Sequence, residues 1–109
     1  MKVTSSAERE YIVYDETNDA EYVLKKDVDV YAHSRPLLKL VDSEGKEHII
    51  TDPVVGVAEL LCGSNDTIIR DEALRTALIT ANLIQTTGRI ARVLGDSTFK
   101  TYPVVRVLI

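Results

Sequence analysis

Apolar and polar residues alternate along much of the first half of the chain, which predicts β-strands. Residues 11–14 and 21–24 are rich in tyrosine and β-branched side chains, and residues 17–19 between them favour a turn. This pattern predicts a hairpin. Residues 28–32 continue the alternation as a half-exposed strand, which we expect to end at Arg35 and Pro36 because proline lacks the amide that a sheet needs.

A second pair of apolar runs, residues 37–42 and 46–50, flanks a short connection that contains Gly45. Glycine adopts a positive φ without a steric penalty, so a short connection with a glycine is typical of a tight hairpin. The first half of the chain is therefore predicted to form two antiparallel hairpins.

The pattern changes after residue 50 and favours a short helix. Asp52 followed by Pro53 is typical of a helix start, because the carboxylate accepts a hydrogen bond from a free amide and proline is tolerated at the first helical position. The apolar segment that follows stops at Gly63, a residue type that often ends helices. The sequence predicts a short, largely buried helix over residues 54–62.

A long second helix is predicted from residue 67 or 71 to residue 94, with Gly95 as its end. Acidic residues near its start and arginines near its end complement the helix dipole. At about 100° per residue, two apolar stripes lie on opposite sides of this helix. The second stripe consists of Ile79, Leu83, Ile90 and Leu94.

A last strand is predicted over residues 98–109. Strands followed by helices are typical of the α+β class, with a mainly antiparallel sheet and helices on one face. We expect the two N-terminal hairpins and the C-terminal strand to form that sheet, with the short and the long helix packed on one of its faces. A chain of 109 residues accommodates one domain, so residues 1–109 are predicted to be a single α+β domain.

The second stripe of the long helix favours self-association. A domain of this size has little surface with which to cover both sides of a long helix, whereas a second copy would bury the stripe directly. We therefore expect a homo-oligomer, with an interface formed by Ile79, Leu83, Ile90 and Leu94. Burial of the stripe by the first helix within one monomer is the alternative.

Composition and charge bear on location and partners. The chain is 45% hydrophobic and 28% charged, with one cysteine and no apolar run of membrane-spanning length, so we expect a cytoplasmic protein with no membrane contact. Residues 1–65 carry seven Lys or Arg against thirteen Asp or Glu, a net charge of −6, while residues 66–109 carry six against four, a net charge of +2. Such a split can mark a polar partner surface, an acidic partner or head-to-tail self-association, but in a short chain it more often arises by chance.

A third line of residues on the predicted long helix is polar and basic. Arginine forms bidentate contacts with phosphate or carboxylate, and asparagine and glutamine add amide contacts. The line therefore predicts a ligand-binding or nucleic-acid-binding surface, and a solvated face paired with acids of the N-terminal half is the alternative. Its residues are Arg75, Asn82, Gln85, Arg89 and Arg92.

No catalytic constellation stands out in the sequence. The glycines lack the spacing of a phosphate-binding loop, one cysteine cannot form paired zinc ligands, and His33 and His48 lie on separate β segments. Asp27 and Asp29 share a strand face and could hold a hard cation with Asp15, Glu16 or Asp19, which makes a metal-assisted hydrolase the weakest hypothesis. We expect no catalytic residue, no cofactor and no metal ligand.

The leading hypothesis is a small, non-catalytic cytoplasmic binding or accessory module that forms a homo-oligomer through its long helix. Nucleic-acid binding by the basic stripe is the second hypothesis. Both depend on the long helix, because the helix is what places each set of residues on one face.

Overall fold

A computed structural model describes residues 1–6, 10–30, 35–55 and 57–109 of the chain. The first of its two sheets has five strands, each antiparallel to the next in chain order. These strands are β1 (Lys2–Ser5), β2 (Tyr11–Asp15), β3 (Ala20–Asp29), β4 (Arg35–Val41) and β5 (Glu47–Ile49).

Both predicted N-terminal hairpins are confirmed. Strands β2 and β3 flank a turn at residues 16–19, and β4 and β5 flank a tight connection in which Gly45 has a φ of 82°. β3 is one continuous strand, so the separate strand predicted over residues 28–32 is wrong in its described part; residues 31 and 32 lie outside the described residues. Arg35 and Pro36 begin β4 rather than ending a strand.

The described residues after β5 form two helices and three more strands. These are α1 (Val57–Leu61), β6 (Asp66–Ile68), α2 (Glu72–Thr80), β7 (Ile84–Arg92) and β8 (Thr101–Val107). The three strands form a second sheet in the order β6-β8-β7, with both pairs antiparallel. We expected the C-terminal strand to join the N-terminal hairpins, but it lies in this second sheet instead.

The predicted long helix is wrong beyond residue 80. Asp71 does cap its start, since its carboxylate accepts a hydrogen bond of 3.0 Å from the Leu74 amide. The helix stops at Ala81, and Asn82 has a left-handed φ of 61°, which a helix cannot continue through. The β-branched pair of threonines that follows favours a strand, so residues 84–92 form β7.

The predicted short helix is confirmed only over Val57–Leu61. Asp52 does not cap it. The backbone of Asp52 instead exchanges two hydrogen bonds with Ile68, of 2.8 Å and 3.0 Å, and so extends the second sheet by one bridge.

The two faces of the second sheet pack against different partners. Val104 and Val105 are consecutive on β8 and are both fully buried, because successive side chains of a strand point to opposite faces. Val105 belongs to a main core shared with the first sheet and with Leu74 and Leu78 of α2. Val104 belongs to a smaller cluster, against which Ala58 of α1, Cys62 and Tyr102 pack. The two helices thus contact opposite faces of the second sheet rather than one face of a single sheet.

The α+β class is confirmed, with antiparallel sheets as the dominant structure. No helix in the described part of the chain is long and apolar enough to cross a membrane.

Candidate functional site

The predicted oligomer stripe does not form one surface. Leu83 is only 5% exposed and lies in the main core, and Ile79 packs against that core. Ile90 and Leu94 are instead exposed on the second sheet. Since the four residues are divided between the helix, a turn and a strand, the helical interface proposed from the sequence is wrong in its geometry.

The predicted basic stripe is dispersed in the same way. Arg75 of α2 donates a hydrogen bond of 2.7 Å to the Ile69 carbonyl, and Asn82 lies in the turn after the helix. On β7, Gln85 lies opposite Arg106 whereas Arg92 lies opposite Thr101. Side chains alternate between the two faces along a strand, so Thr101 and Arg106 of β8 project from opposite faces. Gln85 and Arg92 share the faces of the residues opposite them, and therefore also project from opposite faces. Arg89 follows the bulge between them, and the binding role of these residues remains a prediction.

The regular pairing of β7 with β8 is interrupted at Gly88. The register shifts between Thr86 and Ile90, and Gly88 has a φ of 81°, the geometry of a β-bulge. Past the bulge, Ala91 and Val93 are buried in the smaller cluster. By alternation, Ile90 and Arg92 project from the other face of the sheet, where they are exposed, and Leu94 is exposed in the turn beyond the end of β7.

The loop that closes this hairpin is fixed by Asp96. Its carboxylate accepts hydrogen bonds from the Thr98 amide (2.9 Å) and the Thr98 hydroxyl (2.6 Å), which together lower the pKa of Asp96. Phe99 follows with a positive φ of 58° and an exposed ring. The Arg92 guanidinium lies 5.2 Å from the centroid of that ring, a cation–π contact.

We call the part of the β7–β8 hairpin beyond Gly88, with its closing loop, the outer hairpin. Three of its cations have no acidic partner among the residues that the structure describes. Elsewhere the arginines of the second sheet are neutralised: Arg70 donates to Asp52 over 2.9 Å, and Arg106 donates to Asp66 over 3.0 Å. The charge of the outer hairpin is therefore available to an external anion. The three cations are Arg89, Arg92 and Lys100.

β7 is an edge strand of its sheet, and α1 lies beside that edge at the bulge. Leu61 is exposed and, together with Gly88 and Ile90, lines a shallow hollow of about 280 Å³. We call this combined area the hairpin surface, and it has four apolar and three basic members. Its residues are Leu61, Arg89, Ile90, Arg92, Leu94, Phe99 and Lys100.

An acidic area lies on the first sheet, where the β2–β3 and β4–β5 turns flank a hollow of about 500 Å³. Ala20 and Tyr22 line it together with Ser43 and four acids. We call these acids the acidic rim. They are Asp19, Glu21, Asp42 and Glu44.

Two acids of the rim are held in place by neighbouring groups. Asp42 accepts a hydrogen bond from His48 Nε2 at 3.1 Å and two more, each of 2.9 Å, from backbone amides of its own turn. These bonds lower the pKa of Asp42, with the His48 contact as the main cause. Asp19 accepts a hydrogen bond of 2.5 Å from the Tyr14 hydroxyl. Hydrogen bonds therefore fix the orientation of two of the four carboxylates of the rim.

A third hollow, of about 620 Å³, lies between the first sheet and the start of α2 and contains His48, Asp52, Arg70 and Asp71. Its charged groups contact one another: Asp52 pairs with Arg70, and Asp71 caps the helix. The arrangement offers no nucleophile beside a base.

No group of three or more potential metal ligands lies together in the described ranges. Asp27 accepts a hydrogen bond of 2.8 Å from the Val28 amide and lies 3.6 Å from Lys39 Nζ, and Asp15 accepts hydrogen bonds within its own turn. The hypothesis of a metal-assisted hydrolase gains no support from these contacts. His33 lies outside the described residues.

No protein-family model matches the chain, and no curated protein and no solved structure is significantly similar to it. The function is therefore argued from the geometry of the site.

Phe99 and Lys100 were not predicted as site residues, although a large aromatic residue within a polar loop, between Thr98 and Lys100, was an available signal. The acids of the rim come from the β2–β3 turn, the start of β3 and the β4–β5 turn, which the folded sheet brings together.

Proposed function

We propose that the protein is a non-catalytic binding or accessory module that self-associates through the hairpin surface. A single observation carries the proposal: Ile90, Leu94 and Phe99 are 65%, 75% and 72% exposed on the same hairpin as three cations that lack acidic partners in the described chain. Clustered apolar side chains beside unpaired charge are typical of a recognition surface.

Self-association accounts for both halves of this surface. Removing apolar area from water stabilises a complex by roughly 25 cal/mol for each Å² buried, and the cations then need an acidic partner. The chain itself carries that acidity, with a net charge of −4. A cytoplasmic location, expected from the single cysteine, belongs to the same proposal.

A second candidate function is binding of single-stranded nucleic acid by the same hairpin. Arg92 lies over Phe99 and the Lys100 ammonium lies 5.3 Å from the centroid of the Tyr102 ring, so cations and rings alternate as single-strand binding requires. We favour self-association, because the exposed aliphatic side chains of Ile90 and Leu94 gain little from phosphates or bases.

Light scattering across a concentration series tests the proposal. We expect wild-type masses of two or more chains, and a single-chain mass for Ile90→Ser/Leu94→Ser, with circular dichroism as a check of folding. Leu108→Ser is the matched control, because Leu108 is an exposed leucine outside the hairpin surface, and this variant is expected to stay assembled.

A wild-type chain that stays monomeric up to about 1 mM, where a contact of only about −4 kcal/mol would be visible, contradicts self-association.

Titration with a labelled single-stranded oligonucleotide tests the second candidate. We expect no binding. Binding that weakens with salt and is lost in Arg89→Gln/Arg92→Gln/Lys100→Gln would instead establish the second candidate.

A further inference from the structure

We propose that the hairpin surface docks onto the acidic rim of a second copy, so that copies of the chain join head to tail. The inference rests on the proposed self-association and adds the identity of the partner surface. It combines two areas of one chain that no hydrogen bond or ion pair among the described residues connects.

Charge decides against the hairpin surface binding to itself. In a twofold contact between two hairpin surfaces, Arg89, Arg92 and Lys100 would face the same cations of the other copy, and like charges across an interface disfavour binding. The partner area must therefore be acidic. The acidic rim supplies four carboxylates around a single hollow.

The carboxylates of the rim are suited to this role. Asp19 and Asp42 are oriented by hydrogen bonds from Tyr14 and His48, so their charges need no rearrangement on binding. Glu21 and Glu44 are exposed, and neither forms an ion pair with any other described residue. The rim thus carries free negative charge where the hairpin carries free positive charge.

The hollow also offers apolar contact. Ala20 and the half-buried ring of Tyr22 line it between the acids, and Tyr22 is held by an edge contact with the His48 ring at a centroid distance of 6.1 Å. Phe99 and Leu94 project from the tip of the outer hairpin, flanked by the cations. An apolar tip with basic flanks matches a hollow with an apolar lining and an acidic rim.

Such a contact is heterologous, because each copy uses one area of each kind. A pair joined in this way still has a free hairpin surface on one copy and a free rim on the other. Further copies therefore add until a ring closes, or the assembly stays open.

A mixing experiment tests the docking. The hairpin variant Ile90→Ser/Leu94→Ser keeps a wild-type rim, and the rim variant Glu21→Lys/Glu44→Lys keeps a wild-type hairpin surface. We expect each to be monomeric alone, with a dissociation constant raised at least about tenfold. Their mixture should form a one-to-one heterodimer and nothing larger, because only one productive contact remains.

Controls separate this proposal from the self-association on which it rests. Glu72→Lys reverses an exposed acid outside the rim and should assemble like the wild type. Wild-type assembly should weaken with salt between about 50 mM and 500 mM, since exposed charges are screened over this range.

The other possible outcomes of the mixing experiment each overturn either the docking on the rim or both proposals. A rim variant that assembles like the wild type, beside a monomeric hairpin variant, overturns docking on the rim and leaves self-association intact. A mixture that stays monomeric also overturns the docking. A wild-type chain that is monomeric, whether or not it binds an oligonucleotide, overturns both proposals.

Discussion

The two ends of the β7–β8 hairpin carry similar apolar side chains in opposite environments. At the inner end, Ile84 lies opposite Val107 and both are buried in the main core. At the outer end, Ile90 and Leu94 project from the sheet and are exposed. The bulge at Gly88 separates the two. The packing layers around a strand, rather than the strand's own composition, therefore determine which of its apolar residues are buried.

Charge follows the same division. At the inner end, Arg106 is paired with Asp66, which is 1% exposed and also accepts a hydrogen bond of 2.7 Å from the Gly63 amide. At the outer end, Arg89 and Arg92 have no carboxylate partner among the described residues. The inner end therefore contributes to folding, whereas the outer end carries positive charge that no described carboxylate neutralises.

The largest effect is expected at Asp66. Asp66→Ala removes a buried carboxylate, leaving the Gly63 amide and the Arg106 guanidinium without their partner, and should lower the free energy of unfolding by about 3–5 kcal/mol. Urea denaturation measures the change. Asp52→Ala, which breaks the more exposed pair with Arg70, should cost about 1 kcal/mol. Equal losses in the two variants would contradict the special role of the buried pair.

Leucine truncation compares the two ends directly. Leu83→Ala empties a core position and should cost about 2–4 kcal/mol of unfolding free energy, whereas Leu94→Ala should cost less than about 0.5 kcal/mol in the monomer. Light scattering should show the reverse order, with assembly weakened by Leu94→Ala. A large loss of stability at Leu94 would show that the outer end belongs to the folded core.

The bulge itself gives a smaller effect. A Cβ on Gly88 meets no atom within 4 Å, so Gly88→Ala should cost only the backbone strain of a positive φ, about 1–2 kcal/mol. Thermal unfolding measures this change. Gly95→Ala, at a φ of 83° with equally open surroundings, is the matched control and should cost the same. A much larger loss at Gly88 alone would mean that the bulge also sets the register of the inner end.

The smallest effect is expected from acid, and one contribution to it arises in the first sheet. The hydrogen bond from His48 lowers the pKa of Asp42, so the unfolded state takes up a proton before the folded state does. This contribution to stability is present above the ordinary carboxyl range near pH 4 and is lost as pH falls through the lowered pKa.

Urea denaturation between about pH 7 and pH 2.5 measures this acid dependence. Asp42→Asn should flatten the acid side of the stability profile, while Glu44→Gln, which changes an exposed acid of the same turn, should leave it unchanged. An unchanged profile in Asp42→Asn would contradict the role assigned to the His48 contact.

Local signals predicted both hairpins of the first sheet, but neither β1 nor the full length of β3. Turn residues and alternation located both hairpins, because a hairpin depends on neighbours in sequence. The α+β class and the cap at Asp71 were also correct. The separate second sheet could not be predicted in this way, since β6 pairs with β8 across 40 positions, as between Asp66 and Arg106.

The error in the long helix has a specific physical cause. Ile79, Leu83, Ile90 and Leu94 fit one side of a helical repeat, but only Ile79 lies on α2. Leu83 lies in the connection after the helix, Ile90 lies on β7, and Leu94 lies beyond the end of β7. Asn82, the adjacent threonines and Gly88 were the opposing signals, and together they outweighed the repeat.

The candidate site was predicted in part, although on a helix that does not exist. Ile90, Leu94, Arg89 and Arg92 do lie together on an exposed part of the molecule, on a hairpin. Leu83 and the other inner residues were assigned to the same surface because a helical wheel cannot represent a bulge or a change of sheet.

The position of β8 has a consequence for the order of folding. β8 is the middle strand of its sheet but follows both neighbours in the chain, so neither β6 nor β7 has its sheet partner until residues 101–107 are present. The first sheet needs only short loop closures and can form during synthesis, whereas closing the loop to β6 has a higher entropic cost. A nascent chain would therefore expose the apolar face of its first sheet until residues 101–107 are present.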